Sequence, residues 1–573
     1  MTGRYIALCG TRDARQGAEA RVKDSGAMHQ LLDTDGLALF VDDLLPHCPL
    51  DNGVLLGRIF LRGQTTAARA LDDAKQAAAR ATQGEFLVET CWGSYVALLP
   101  DPTGPAWHVL RAPLGMLPCL VANRDGIVWV ASDVPLLEQA GFGRPPVDWD
   151  ALTLHLAKPE LRHSRTCLAG IIDLLGGHRL KIGTEPTTLQ PLWTPWPFAA
   201  RPEVQPADAA TRLRGAIDLT VAAMSDGHDR ALLMLSGGID SSIVAASLKR
   251  AGRDFETLTF RPDGAGGDES DYARTVADHL AVPWHEIRPD PDRVDPGRSA
   301  SGHLPRPNER LFYQEFDRAG IALARTLGAG AILHGGGGDN LFYGHPSVAP
   351  IADCLLTANG RFKSSAAALA DLTGSSLWRV MALAMRRALR KKRPLDTASL
   401  RLRFLAVGTA VPDRLHAWEA PPEGILPGRS SHAALLAHTL SLVEAADPLR
   451  AIPNLPVLLS QPLLQTCLEM PTDLWFAPGR NRAIAREAFA RDLPANVIER
   501  RSKGTPDAFV ATIFERKRRE IRALLLDGEL AAHGLLNRPL LASVLDDPAP
   551  SRGYDFARIL ELVDAEAWVR NRA

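Results

Sequence analysis

Two hydrophobic textures divide the chain. Up to about residue 193, short apolar runs such as Phe86–Val88, Tyr95–Leu99, His108–Leu110 and Ile127–Val130 alternate with Gly, Pro and Asp turns. Runs of that length between turn residues predict β-strands. No internal repeat is visible. The stretch from Thr194 to Asp208 then carries four prolines. Proline lacks a backbone donor and disfavours helix, so this stretch reads as a linker between two domains, residues 1–205 and 206–573. Leu213, Ile217 and Val221 recur at i, i+4 and i+8 and predict a helix directly after it.

Beyond that helix the pattern becomes strand–helix alternation. Ala231–Leu235 is a continuous apolar run, as in a buried parallel strand. Ser241–Arg250 reads as a helix, with Gly252 as its C-terminal cap. Glu256–Phe260 predicts a second strand, Asp271–Leu280 a second helix and Ala329–Leu333 a third strand. After about residue 350 the pattern is mostly helical. This is the signature of a doubly wound α/β domain with a helical extension, and such domains bind ligands at the carboxyl ends of their strands.

Composition narrows the classes. The chain has 573 residues, too many for one core. Its 46% hydrophobic and 23% charged residues are ordinary for a globular protein. A formal net charge of -1 calls for neither nucleic acid nor an anionic membrane as partner. No run of eighteen apolar residues offers a membrane span, and the opening MTGRYIALCGTRDARQ does not read as a secretory signal. Seven scattered cysteines with no C-x-x-C pairing argue against a disulfide framework or zinc site and suit a reducing cytoplasm.

Candidate chemistry lies where the first strand ends. Ser236-Gly237-Gly238-Ile239-Asp240-Ser241-Ser242 joins that strand to a helix. Glycines let a backbone approach an anion, the helix N-terminus adds positive potential, and the serines add hydroxyl donors. Asp240 repels phosphate by itself, and its natural role is to hold a Mg²⁺ that bridges phosphates. The loop lacks the G-K-[ST] ending of a Walker A sequence. A second glycine loop, His334-Gly335-Gly336-Gly337-Gly338-Asp339-Asn340, follows the third strand, and Asp339 joins Asp240 as a candidate metal ligand. The plainer alternative is a flexible loop with a helix-capping aspartate. Far downstream, Glu499-Arg500-Arg501-Ser502-Lys503-Gly504 offers Lys503, a cation suited to stabilising developing oxyanion charge.

Through these motifs, residues 206–573 resemble the synthetase domain of the asparagine synthetase and β-lactam synthetase superfamily. The match rests on Ser236–Ser242, Glu269–Ala273, His334–Phe342 and Lys503. The resemblance implies an ATP-pyrophosphatase fold (adenine nucleotide alpha hydrolase-like) that adenylates a carboxylate and forms an amide, with ATP and Mg²⁺ as cofactors. It places pyrophosphate on Ser236, Gly237, Gly238, Asp240, Ser241 and Ser242, and Mg²⁺ on Asp240 and Asp339. Adenosine falls along Leu235, Thr259 and Gly335 beside His334, and Lys503 becomes the catalytic lysine. Within the superfamily, Leu458–Pro506 is similar in wording to lasso-peptide cyclases, above all Ser460-Gln461-Pro462 and Arg500–Gly504. That implies a lasso precursor core peptide as substrate, with a leader-peptide protease and a recognition protein as partners.

The first 205 residues resemble the glutaminase domain of asparagine synthetase, an Ntn-hydrolase-like αββα fold, through Trp92–Tyr95, Arg111–Gly115 and Ala131–Asp133. A working glutaminase needs cysteine at position 2, and here Thr2 stands there. Cys9, within an apolar run, reads as a buried strand residue. The domain is therefore expected to be a scaffold without ammonia-generating chemistry, which fits a substrate carrying its own amine. Gly336 stands where asparagine synthetase has a glutamate, so the usual acid–base candidate is missing. Two other readings stay open: a β-lactam synthetase or ammonia-dependent amide ligase, and a peptide-binding pseudoenzyme. The basic stretch Arg379–Arg393 reads as a solvated amphipathic helix or as a receiver for acidic partners.

Overall fold

The computed structural model describes residues 3–183, 188–201, 204–261, 269–308, 310–390, 401–406, 416–444, 447, 450, 452–501, 504, 506–551 and 553–572. Two antiparallel six-stranded sheets are built from strands between Tyr5 and Pro191. Along Tyr5–Cys9 and Leu37–Val41, alternate residues Tyr5, Ala7, Cys9, Leu37, Leu39 and Val41 face the other sheet. There they meet Val54, Leu56, Val96, Leu98 and Val109 in a shared core. The intervening residues Ile6, Leu8 and Phe40 face outward, against helices that include Arg12–Asp24 and Asp507–Leu526. On the other sheet Leu55, Ala97 and Leu99 face Leu87 and Val88. The period-two alternation of apolar side chains to both faces produces this helix–sheet–sheet–helix layering.

Two local expectations give way. Phe86–Val88 lies in a helix, Glu85–Thr90, not a strand. Three apolar residues are too few to separate a strand from a buried helical turn. Gly84, in the left-handed region at φ 94°, turns the chain straight from the helix Asp73–Ala81 into this second one. The proline-rich stretch is also not a free tether. It contains a short helix, Trp196–Ala199, and Trp193, Trp196 and Phe198 are buried. Trp196 Nε1 donates to the Ala417 carbonyl at 3.1 Å, and Trp193 packs edge-on against Trp418.

The second sheet system is parallel throughout. Its spatial order is Trp284–Ile287, Asp254–Phe260, Arg230–Met234, Ala331–His334 and Asn454–Pro456. In chain order this reads 3-2-1-4-5, so the winding direction reverses between Arg230–Met234 and Ala331–His334. That reversal opens a crevice at the carboxyl ends of these two strands. Met234 pairs in register with His334, so both glycine loops leave the sheet at the same level. Leu213, Ile217 and Val221, on the helix Pro206–Met224, are fully buried behind it.

Among the described residues, the rest of the chain is mostly helical, with one short hairpin of Phe476–Ala477 and Arg480–Asn481. Among the described residues no helix is long and apolar enough to cross a membrane. The basic stretch forms the helix Leu377–Leu389, packed through Val380 and Ala384, with Trp378 and Leu389 exposed. Residues 391–393 of that stretch lie outside the described residues.

Candidate active site

The first loop is held by its own serines. The Ser241 hydroxyl accepts from the Ser236 amide at 3.1 Å and meets the Ser236 hydroxyl at 3.1 Å. The Ser242 hydroxyl is buried and donates to the Gly238 carbonyl at 2.8 Å, at the start of the helix Ile239–Arg250. Gly237 sits at φ 70°, and a Cβ there would lie 2.5 Å from the Ala273 amide nitrogen. The close approach of the helix Ser270–Leu280, which carries the Glu269–Ala273 motif, therefore requires glycine at 237. Gly237 and Ser242 shape the loop without lining the cavity beside it.

The second loop locks onto the first. A Cβ at Gly335 would lie 2.8 Å from the Ser241 amide, and one at Gly338 would meet the Asp240 carboxylate carbon at 2.5 Å. His334 Nδ1 accepts from the Gly336 amide at 3.0 Å, so the ring proton sits on Nε2. Burial first, and the Arg310 guanidinium second, push His334 down to about 4, leaving it neutral at physiological pH. Asn340 donates to the Leu435 carbonyl at 2.8 Å and is a packing contact.

Between the loops lies a cavity of about 290 Å³, lined by Ser236, Gly238, Asp240, Ser241, His334, Gly335 and Asp339. The sequence reading did not single out the residue that joins its two carboxylates. Arg482 Nη1 donates to Asp240 Oδ2 at 2.9 Å and to Asp339 Oδ1 at 2.6 Å. Arg482 is held at φ 54° just before the short helix Ala483–Ala488. One turn on, Arg486 donates to the Asn481 and Ile498 carbonyls, and burial together with Arg482 lowers its guanidinium to about 10. With Arg500 these give the cavity three cationic walls. Two arginines four apart were the only available sequence signal, and that spacing is common on solvated helices.

The two carboxylates also suit a hard cation. Their oxygens converge on one cationic nitrogen beside amide-rich loops, the donor set through which Mg²⁺ binds by one or two carboxylates plus phosphate oxygens. Among the described residues no cluster of three or more His, Cys, Asp or Glu side chains gathers, so water and phosphate would complete such a shell.

A second cavity of about 330 Å³ adjoins the first, with Met234, Ser236, Tyr313, His334 and Gly336 lining both. Leu235 and Thr259 lie here; Gly335 lines only the smaller cavity. The Thr259 hydroxyl donates to the Leu235 carbonyl at 2.7 Å and accepts from Trp284 Nε1 at 2.9 Å. That side chain is committed to the fold, which leaves backbone to meet a ligand.

Lys503 lies outside the described residues, as does Thr2. The described residues Arg500, Gly504 and Pro506 are nevertheless held beside these cavities. Glu269 Oε1 pairs with Arg500 Nη2 at 2.9 Å and accepts from the Gly504 amide at 2.9 Å. Arg500 also stacks 4.1 Å over the Tyr272 ring, and Gly504 and Pro506 line the larger cavity. The Ser460-Gln461-Pro462 trio lies away from both cavities, with Ser460 and Gln461 buried. Ser460 caps the helix Gln461–Glu469 and meets the Thr220 hydroxyl at 2.9 Å, while Gln461 donates to the Val88 carbonyl at 2.9 Å. In the antiparallel sandwich, burial pushes the Cys9 thiol up to about 12, so it is inert as a nucleophile.

Interlocked glycine loops at the switch point of a parallel sheet, with paired carboxylates and an arginine cluster, make up the candidate site of this α/β protein. The asparagine synthase family pattern matches residues 212–570, and the chain belongs to that family. Over 192 residues it is 33% identical to the carboxyethyl-arginine β-lactam-synthase of Streptomyces clavuligerus. That match covers 31% of this chain and 36% of the relative, so the chain spans little more than a third of the relative's length. Two solved structures are distantly similar. One is the glutamine phosphoribosylpyrophosphate amidotransferase from B. subtilis complexed with ADP and GMP, at 12% identity and TM-score 0.20 over 44% of this chain and 65% of that one. The other is described as the allosteric regulatory enzyme of purine biosynthesis, at 11% identity and TM-score 0.22 over 55% of this chain and 88% of that one. Scores this low carry no argument about function.

Proposed function

We propose that this chain is an ATP-dependent, AMP-forming amide ligase that closes a macrolactam in a lasso precursor core peptide. The observation that carries the ligase reading is the meeting of Asp240 and Asp339 on Arg482, between the two glycine loops. Enzymes of the asparagine synthase family use ATP, typically with Mg²⁺. Asp240 and Asp339 would hold that ion, which supplies charge neutralisation for the departing pyrophosphate.

The chain's own groups divide the remaining work. Loop amides and Arg482, Arg486 and Arg500 would bind the β- and γ-phosphates. Leu235 and Thr259 would pass adenosine along the larger cavity, and Lys503 would stabilise the oxyanion that develops as the acyl group transfers. The Asp or Glu side chain of the peptide attacks the α-phosphorus, pyrophosphate leaves, and the peptide's N-terminal amine then displaces AMP. No acid–base side chain fits at Gly336, because a Cβ there would meet His334 Nδ1 at 2.5 Å. An α-amine with a reference pKa of about 7.7–8.0 needs little help in losing its proton.

The lasso substrate rests on the resemblance of Leu458–Pro506, and on an aromatic cavity wall (Phe312, Tyr313, Phe316) that suits a peptide. A leader-peptide protease and a recognition protein would be the partners of such an enzyme. The β-lactam-synthase relative favours a second reading, closure of a small-molecule lactam. Incubation with MgATP and candidate core peptides should give product lighter by one water together with AMP, and Lys503→Ala should abolish both. Turnover of carboxyethyl-arginine in place of peptide would select the second reading. No AMP with any carboxylate would defeat both.

A further inference from the structure

The larger cavity holds a cation that the proposed chemistry has not yet used. Of its charged residues, Arg450 pairs with Asp317 and lies 3.8 Å from Asp447, and Glu269 pairs with Arg500. Arg310 differs. Among the described residues its guanidinium has no carboxylate partner, and it lies 5.3 Å over the Tyr313 ring. A cation on an aromatic face keeps its donors available in the ring plane's surroundings while gaining modest stabilisation.

Its position matters more than its freedom. Tyr313 and His334 line both cavities and so mark their junction, and Arg310 is close enough to disfavour charge on His334. A carboxylate about to attack the α-phosphorus must enter at such a junction, beside the phosphates but on the apolar side. An anion there meets repulsion from the triphosphate unless a cation offsets it. A planar guanidinium can hold one carboxylate oxygen while the other reacts.

Resting on the adenylation reading above, we infer that Arg310 receives the acceptor carboxylate of the substrate and sets the chain's demand for an acidic side chain. In the step it serves, a carboxylate oxygen donates an electron pair to the α-phosphorus. The bond from that phosphorus to the bridging oxygen breaks, and pyrophosphate departs with the electron pair. No proton moves. Arg310 is then a substrate-binding residue, and an amide in place of the acid has nothing to offer it.

The test uses the full-length chain and synthetic peptides with a free N-terminus and one Asp or Glu, the best in ATP–pyrophosphate exchange serving as probe. Its Asn or Gln analogue is the control. Wild type should bind the acid about 10- to 100-fold more tightly than the amide by fluorescence anisotropy, the range expected for a hydrogen bond to a charged group. Arg310→Gln should bring that ratio close to one, raise the peptide KM in exchange, leave the ATP KM within about twofold, and melt like wild type; Arg310→Lys should recover part of the ratio. A retained acid-to-amide ratio in Arg310→Gln overturns the assignment, as does a rise in the ATP KM without one for peptide, which would make Arg310 a phosphate ligand. If wild type exchanges with no carboxylate at all, the adenylation reading falls and takes this assignment with it. Exchange by wild type with an unaltered Arg310→Gln removes this assignment alone.

Discussion

Arg482 does with one nitrogen what two carboxylates need if they are to share a small cavity. Asp240 and Asp339 repel each other, and the guanidinium between them offsets part of that repulsion. The guanidinium is 8% exposed and the carboxylates 13% and 33%, so the pair is screened only in part. Arg482→Gln should cost about 1–3 kcal/mol, the range for losing a charged hydrogen bond in such a setting. The loss should be greatest in Mg²⁺-free buffer, and added Mg²⁺ should raise the variant's melting temperature more than wild type's, since the ion would replace the missing charge. Equal melting temperatures without Mg²⁺ would show that the carboxylates do not depend on Arg482. The two aspartates were legible in the sequence because glycine loops after apolar strands announce themselves. Arg482 was not, because what identifies it is a contact with residues 143 and 242 positions away in the chain.

At the scale of elements, the loops and strands of the parallel sheet follow from local pattern, and the links between distant segments do not. Arg230–Met234 and Ala331–His334 carry apolar runs that lead into glycine loops, whereas Asn454–Pro456 is three residues with a proline and joins the sheet only because the helical region returns it to the edge. Phe86–Val88 misleads for the same reason of length. Ser460–Pro462 shows the opposite hazard: a motif that separates relatives by wording is, in three dimensions, a helix cap and an anchor to Val88. Glu269 is the most informative link. It fastens Arg500 and Gly504, on either side of the proposed catalytic lysine, to the helix that Gly237 abuts. Glu269→Gln keeps an acceptor but removes the charge. We expect kcat to fall about 10- to 100-fold, corresponding to one charged hydrogen bond, while the ATP KM stays within about threefold. Steady-state AMP formation measures both. A variant with unchanged kcat would mean that this anchor does not position the lysine segment.

On the scale of the whole molecule, the antiparallel sandwich and the helical region share one hydrophobic cluster, with Ile6, Leu8 and Phe40 packed in the same body as Ile513, Phe514 and Ile521. Burial on this scale carries histidines inside with the apolar residues. His108, His155, His163, His178, His228, His334, His416, His432 and His438 all have imidazoles pushed below their ordinary value, chiefly by desolvation. His163, His228, His334 and His432 are lowered to about 4 and His416 to about 3. Above the unfolded value of about 6.5 both states are neutral and the shift has no effect. As pH falls from 6.5 toward 4, the unfolded chain takes up protons that the folded one refuses, so stability drops across that window. Asp42, Asp173, Asp218 and Asp353 oppose this, because burial raises them, Asp353 to about 7. Each of these gains stability as pH falls below its folded value. The histidines outnumber them, so unfolding near pH 5 should take up protons net. Calorimetric melting temperatures between pH 7 and 4.5 should fall steeply, with the steepest slope below 6.5. A flat profile there would mean that the buried imidazoles are charged and paired in the folded chain, contrary to the desolvated positions the fold gives them.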